Sequence, residues 1–370
     1  MSDSTFPMSS FNPSRLDLAR KRRGITKTVL ADRAGISSRS LTAYERGEKS
    51  PSPATLARIA ATLRFPTAFF SGPDLDEPPL DGSSFRAFSS RTARQRDRAL
   101  GSAALALALS DWIDARFTLP EPDVFRLRAA DPETAAEAIR SAWGLGERSV
   151  RNMVHLLEAH GVRVFSLSED CAEIDAFSFW REGVPYVFLN TMKSAERSRM
   201  DAAHELGHLA LHWRGGPRGR DAEREADLFG SAFLMPRGSV LAEAPRGGRL
   251  DDLIRAKGRW NVSVANLTYR MHNLGLLTDW QYRSLFVEIS EKGYRTNEPN
   301  GLQRETSQVL AKVFKTLRDE GISRAAIARE LNIPVEELNK IIFGLVLMPL
   351  DGQAEAGQNE PVGRPTLRVV

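Results

Sequence analysis

Two histidines four residues apart, His204 and His208, with Glu205 beside the first, constrain this chain more than any other feature. An α-helix turns once every 3.6 residues, so His204-Glu205-Leu206-Gly207-His208 in helical form sets both imidazoles on one face, able to converge on a single metal ion. Glu205 then stands next to that ion. A carboxylate so placed can take a proton from a metal-activated water and pass it to a leaving amine, which is the chemistry of amide-bond hydrolysis with Zn2+. Three of the six histidines crowd into the stretch 204–212, within a run of good helix formers.

Two histidines leave such a site one protein ligand short. The run 221–235 is the nearby acidic helical candidate, and Glu223 and Glu225 both flank its apolar stripe of Ala226, Phe229 and Phe233. Asp227 separates them. It falls one turn after Glu223 on the same face, where it could hydrogen-bond His204 or His208 from behind, whereas Glu225 has Phe229 one turn on. Glu223 is favoured as third ligand, giving a His2Glu set with an open fourth position, and Glu225 stays as the alternative. A straight helix carries His212 about 12 Å from His204, too far for all three imidazoles to share one ion. His212 is expected behind the ligands or on the substrate side.

At 370 residues, with 42% apolar and 26% charged residues, the chain has material for two or three globular domains. No apolar run reaches membrane-spanning length, and the polar N-terminus lacks the parts of a signal peptide, so a cytoplasmic protein without membrane association is expected. The one cysteine, Cys171, excludes an intramolecular disulfide framework and a Cys-rich metal site. Charge is uneven: the net +4 divides into +7 over residues 1–70 and −3 over the remainder. A basic head on a near-neutral body is the footprint of a nucleic-acid-binding module joined to a second functional unit.

The head reads as four short helices between residues 14 and 72. Leu30-Ala31, Gly35-Ile36-Ser37 and Leu41 have tight helix-turn-helix spacing, with Gly35 allowing the sharp turn and Ala31 a close helix approach. The helix from Ser38 would enter the major groove, where Ser38, Arg39, Thr42 and Ala43 can meet base edges, while Lys27, Arg46 and Lys49 can meet phosphates. The run from Ala19 to Gly47 resembles the Cro/repressor-type (XRE) helix-turn-helix family, departing from it at Lys27, where the family usually carries Gln. The resemblance implies a double-stranded DNA operator as partner.

Residues 73–92, rich in Pro, Gly, Asp and Ser, read as a linker decoupling head from body. The Ala/Leu-rich 93–117 follows, with arginines clustered at its start, as a dimerisation or packing helix. Three extended runs at 162–167, 174–180 and 186–190, with a turn at Glu182-Gly183, predict a small antiparallel sheet ahead of the metal helix.

Residues 201–236, from Asp201-Ala-Ala-His-Glu-Leu-Gly-His through Glu223-Arg-Glu-Ala-Asp-Leu-Phe-Gly230, resemble the ImmA/IrrE family of zinc metallopeptidases. In that family the first Glu of the second motif is a metal ligand, which implies Glu223 here. Gly230 stands where the family usually has Ala. Members cleave transcriptional repressors, so the resemblance implies a regulatory protein, a repressor or antitoxin-type factor, as substrate.

Near the C-terminus, Gly321-Ile322-Ser323-Arg324, Ile327-Ala328, Asn332-Ile333 and Leu338 repeat the head's Gly24-Ile25-Thr26-Lys27, Leu30-Ala31, Gly35-Ile36 and Leu41 at a constant offset of 297 residues. Glu336 and Glu337 occupy the early part of the would-be reading helix, where DNA phosphates would repel them, so a structural or protein-contact role is expected.

The expected architecture is mainly α with a small antiparallel sheet (α+β). It comprises an all-α helix-turn-helix domain at 14–72, a linker at 73–92, a zincin-like metallopeptidase domain at 93–290, a helical helix-turn-helix-like region at 291–350 and a disordered tail at 351–370. The expected function is a homodimeric DNA-binding regulator with a zinc endopeptidase acting in a stress, mobile-element or toxin-antitoxin response. The rival is a non-proteolytic transcription factor or antitoxin-like binding protein whose metal is structural or sensory. Glu205 argues against the rival, because a structural site needs no base there.

Overall fold

The computed structural model describes residues 11–79, 92–127, 131–167, 169–213 and 219–346. Most of the expected linker, 80–91, and the expected tail, 351–370, lie outside the described residues. Sixteen α-helices and one three-stranded sheet are found among those described.

Capping chemistry sets the helix starts of the head. Asn12, Thr26, Ser37 and Ser52 accept from backbone N–H groups at the beginnings of α1 (Pro13–Arg23), α2 (Lys27–Arg33), α3 (Ser38–Glu45) and α4 (Pro53–Leu63). Gly24 and Gly35 supply the left-handed turns before α2 and α3, at φ 61° and 62°. Leu16, Leu30, Ala31, Leu41, Ile59 and Leu63 are buried as the core between them.

The next helix, α5 (Ala93–Asp114), is buried on nearly all sides, with Ala99, Leu105, Leu109 and Ile113 all inaccessible. It packs against α1, where a Cβ on Gly101 would lie 3.1 Å from Arg22 Cβ. Its small-residue run thus serves close packing within the chain. The head is docked on this helix rather than decoupled from the body.

After α6 (Pro132–Ala142) and α7 (Met153–Ala159) come β1 (Arg163–Ser166), β2 (Ala176–Arg181) and β3 (Val184–Leu189), in spatial order β1-β3-β2. β2 and β3 form a hairpin through Glu182 and Gly183, both at positive φ. β1 runs parallel to β3, so the sheet is mixed and the expectation of a purely antiparallel sheet is corrected. Antiparallel pairing needs only a tight turn, which sequence shows. The parallel pair arises because β2 crosses to the far edge, which strand periodicity does not encode.

Helix α8 (Ala195–Leu211) lies on β2 and β3, and α9 (Arg220–Leu234) packs along α8, with α6 in contact with both. Two glycines set that approach. A Cβ on Gly207 would lie 3.0 Å from the Phe229 ring, and one on Gly230 would lie 3.0 Å from the His204 amide nitrogen. Phe229 and Phe233 are inaccessible at this seam, each burial favouring it by roughly 1.5–3 kcal/mol.

Helices α10 (Arg237–Glu243), α11 (Leu250–Ala256), α12 (Val264–Asn273) and α13 (Asp279–Glu291) complete the body. The C-terminal repeat forms α14 (Gln308–Asp319), α15 (Arg324–Glu330) and α16 (Val335–Ile342). The 297-residue offset holds for the helices themselves, α15 starting at Arg324 against Lys27 of α2, and α16 at Val335 against Ser38 of α3. Gly321 and Asn332, at φ 78° and 55°, stand at the turns of Gly24 and Gly35.

Candidate metal centre and nucleic-acid interface

α8 presents His204 and His208 toward α9 with their Nε2 atoms 3.0 Å apart. Glu223, in the first turn of α9, places Oε1 3.5 Å from His208 Nε2 and Oε2 3.8 Å from His204 Nε2. The three donors lie within 4.8 Å of one another and form a group that could hold a metal ion. Tetrahedral zinc with bonds of about 2.0–2.1 Å separates its ligands by roughly 3.3 Å, close to this spacing. The donor set fits the ion.

The outer nitrogens show how the imidazoles are held. His204 Nδ1 lies 2.8 Å from Asp227 Oδ1. A carboxylate only accepts, so His204 directs its Nδ1–H to Asp227 and turns Nε2 to the site, where a metal ion would displace any second proton. His208 is held through a second imidazole. Its Nδ1 is 2.9 Å from His212 Nδ1, and His212 Nε2 is 3.0 Å from Glu225 Oε2. Glu225 accepts from His212 Nε2–H, His212 Nδ1 accepts from His208 Nδ1–H, and His208 is thereby left with a free Nε2 lone pair. Glu225 is turned to His212, not to the other two donors, which leaves Glu223 as the carboxylate of the cluster.

Glu205 is buried between α8 and the sheet, where Ser178 Oγ of β2 donates to its Oε2 at 2.6 Å. Burial pushes its carboxyl up to about 7, against the pull of His204 and the Ser178 hydroxyl. A group titrating there can both take and return a proton near neutral pH. Burial also pushes His208 down to about 4, outweighing the attraction of Glu223. For His204 burial acts the same way, but the carboxylates of Asp227, Glu205 and Glu223 overcome it and hold the imidazole up at about 9.

Sequence reasoning did not single out Ser178, whose signal was a lone hydroxyl between Phe177 and Phe179 in an otherwise apolar strand. It also missed the pairing of His212 with Glu225, which joins two helices. Two polar groups that could serve as oxyanion donors are turned elsewhere: Tyr186 faces Ser110 of α5 at 3.3 Å and His272 is bonded to Asp279 at 2.8 Å. Both are engaged away from the histidines.

In the head, α3 exposes Ser38 and Arg39, with Thr42 and Ala43 half-buried beside them and Arg46 and Lys49 exposed beyond its end. Thr42 Oγ1 donates back to the Ser38 carbonyl at 2.9 Å, keeping its lone pairs outward. Lys27 is drawn to Glu45 at 2.6 Å, and Arg20 shares the same carboxylate. Lys27 therefore brings less net charge to DNA than its sequence position suggests.

Residues 16–70 match the model of the helix-turn-helix family, and residues 157–272 match that of the IrrE N-terminal-like domain, a peptidase family. The chain thus joins a stretch similar to helix-turn-helix domains to a stretch similar to IrrE-like peptidase domains. No curated protein matches it. The IrrE-like match takes in β1 to β3, α8, α9 and the histidine–glutamate cluster, and the helix-turn-helix match takes in α1 to α4. No helix among the described residues of this fusion is long and apolar enough to cross a membrane.

Proposed function

We propose that this helix-turn-helix and IrrE-like fusion is a cytoplasmic DNA-binding regulator with a working zinc endopeptidase, which cuts a regulatory protein such as a repressor or antitoxin-type factor in a stress, mobile-element or toxin-antitoxin response. The supporting observation is the convergence of His204, His208 and Glu223 with the Glu205 carboxyl alongside, buried and hydrogen-bonded. When bound, zinc supplies Lewis acidity toward a peptide carbonyl and lowers the pKa of water. His204, His208 and Glu223 would hold the ion, while Asp227 and the His212–Glu225 pair orient the two imidazoles toward it. Glu205 takes the proton of the attacking water and delivers it to the leaving amine, and the Ser178 hydroxyl holds Glu205 in position. A homodimer would present two copies of α3 to a two-fold operator.

Comparing newly formed protein N-termini in cells carrying wild type or Glu205→Gln tests the reading. Cleavage of a defined regulatory protein is expected with wild type and lost in Glu205→Gln, with operator binding intact in both. Cleavage that persists in Glu205→Gln rejects the peptidase assignment and favours a structural or sensory metal.

A further inference from the structure

The arginines at the start of α5 have no part in the peptidase, and their location is informative. A Cβ on Gly24 would run into the Arg98 guanidinium and lie 3.0 Å from Arg94 Cγ, so both side chains lie over the joint between α1 and α2. Arg98 Nη2 also reaches the Arg23 carbonyl at 3.5 Å. Arg94 and Arg98 are one turn apart on one face of α5, and Arg94 is exposed. The start of α5 is fixed by a capping box between Thr92 and Gln95.

This joint is where a helix-turn-helix unit meets the DNA backbone, because the first helix of the motif crosses the phosphates while the second enters the groove. The head's own cations there are compensated within the chain: Lys27 and Arg20 share Glu45, Lys21 meets Asp17, and Arg22 and Arg23 meet Glu337. Of the acids at this end, Asp97 and Glu77 act on Lys21 of α1, as does Asp17. Two guanidiniums from outside the head thus reinforce the edge at which its own charge is compensated.

We infer that the first turn of α5 is a second DNA-contacting element, with Arg94 and Arg98 seated on backbone phosphates beside the groove entered by α3. The inference rests on the DNA-binding reading of the head and adds to it that the body takes part in the interface. Phosphate contacts carry no sequence information, so the effect is the same on specific and mixed-sequence duplexes.

Binding of the full chain to a mixed-sequence duplex, followed by fluorescence anisotropy across a salt series, tests this. Each phosphate contact contributes about 0.9 to the slope of log affinity against log salt. Arg94→Gln with Arg98→Gln is expected to lower the slope by about 1.8, and Arg94→Gln alone by about 0.9. Arg94→Lys with Arg98→Lys should restore it, and Arg255→Gln on α11 should leave it unchanged. The single Arg94 variant decides the matter if loss of Arg98, which packs on Gly24, loosens the head. Wild-type slopes in both Gln variants overturn the α5 contact, provided that wild type binds and Arg39→Ala weakens binding to a selected operator. Failure of wild type to bind any duplex overturns the head's DNA reading and this inference with it.

Discussion

The two helix-turn-helix units share helix lengths, turns and register, yet their second helices meet opposite surroundings. In the head, α3 carries Ser38, Arg39 and Ser40 in its first turn and leaves the first two exposed. In the repeat, the same positions of α16 are Val335, Glu336 and Glu337, and Glu337 is 1% exposed. Glu337 accepts from Arg22 Nε at 2.7 Å and from Arg23, and Lys340 and Arg22 both reach Asp170, at 3.2 and 3.0 Å. Glu330 of α15, at the position of exposed Arg33, takes Trp112 of α5 and Arg116 just beyond its end at 2.8 and 2.6 Å. One motif thus presents its reading helix to solvent, and its repeat uses the equivalent helix to hold the first in place. What distinguishes them is the sign of a few charges and what those charges find within the chain.

The largest expected effect breaks this contrast at equivalent positions. Glu337→Ala removes one of the two carboxylates on Arg22, which is inaccessible, and should cost about 3 kcal/mol of unfolding free energy in a denaturant titration, the low end for a broken buried pair because Asp170 remains. Ser40→Ala, its counterpart in the head, should change stability by no more than about 0.5 kcal/mol. Equal losses at both sites would remove the distinction between reader and clasp.

A middling effect concerns DNA. Arg39→Ala should weaken operator binding by about 1–3 kcal/mol, measured by anisotropy on a selected site, while Glu336→Ala at the equivalent position leaves affinity within error. If Glu336→Ala strengthens binding as much as Arg39→Ala weakens it, the second unit also lies at the DNA.

The smallest effect is a pH dependence. Burial alone would raise the Asp170 carboxyl, but Arg22 and Lys340 pull it below the usual carboxylate range. A depressed folded-state pKa gives stability that is fully present above the unfolded value of about 4 and lost as pH falls through the folded one. Asp170→Asn should therefore be less stable than wild type at neutral pH, and the difference should close at the acid end of a pH series of melts. A gap independent of pH would remove Asp170 from the clasp.

The repeat itself was legible because turn glycines, cap residues and apolar positions are local. Its docking was not, since Glu337 meets an arginine 315 residues away. The same division runs through the metal centre. Asp227 and Glu223 share a face of one helix, so periodicity alone could associate them, and the structure brings both to His204. The Glu225–His212–His208 chain depends on how deeply α9 seats on α8, which Gly207 and Gly230 permit, since a Cβ on either would lie 3.0 Å from the facing helix. A strand periodicity that reported three extended runs could not say that β1 pairs in parallel, because strand order is a property of the packed sheet.

The zinc content of purified protein, measured by elemental analysis for wild type, Glu223→Gln and Glu225→Gln, tests most directly whether the chain holds a catalytic ion through His204, His208 and Glu223. One zinc per chain is expected in wild type, a value well below one in Glu223→Gln, and retained but more readily chelated zinc in Glu225→Gln, whose link to His208 runs through His212. Full retention in Glu223→Gln with loss in Glu225→Gln would contradict the account.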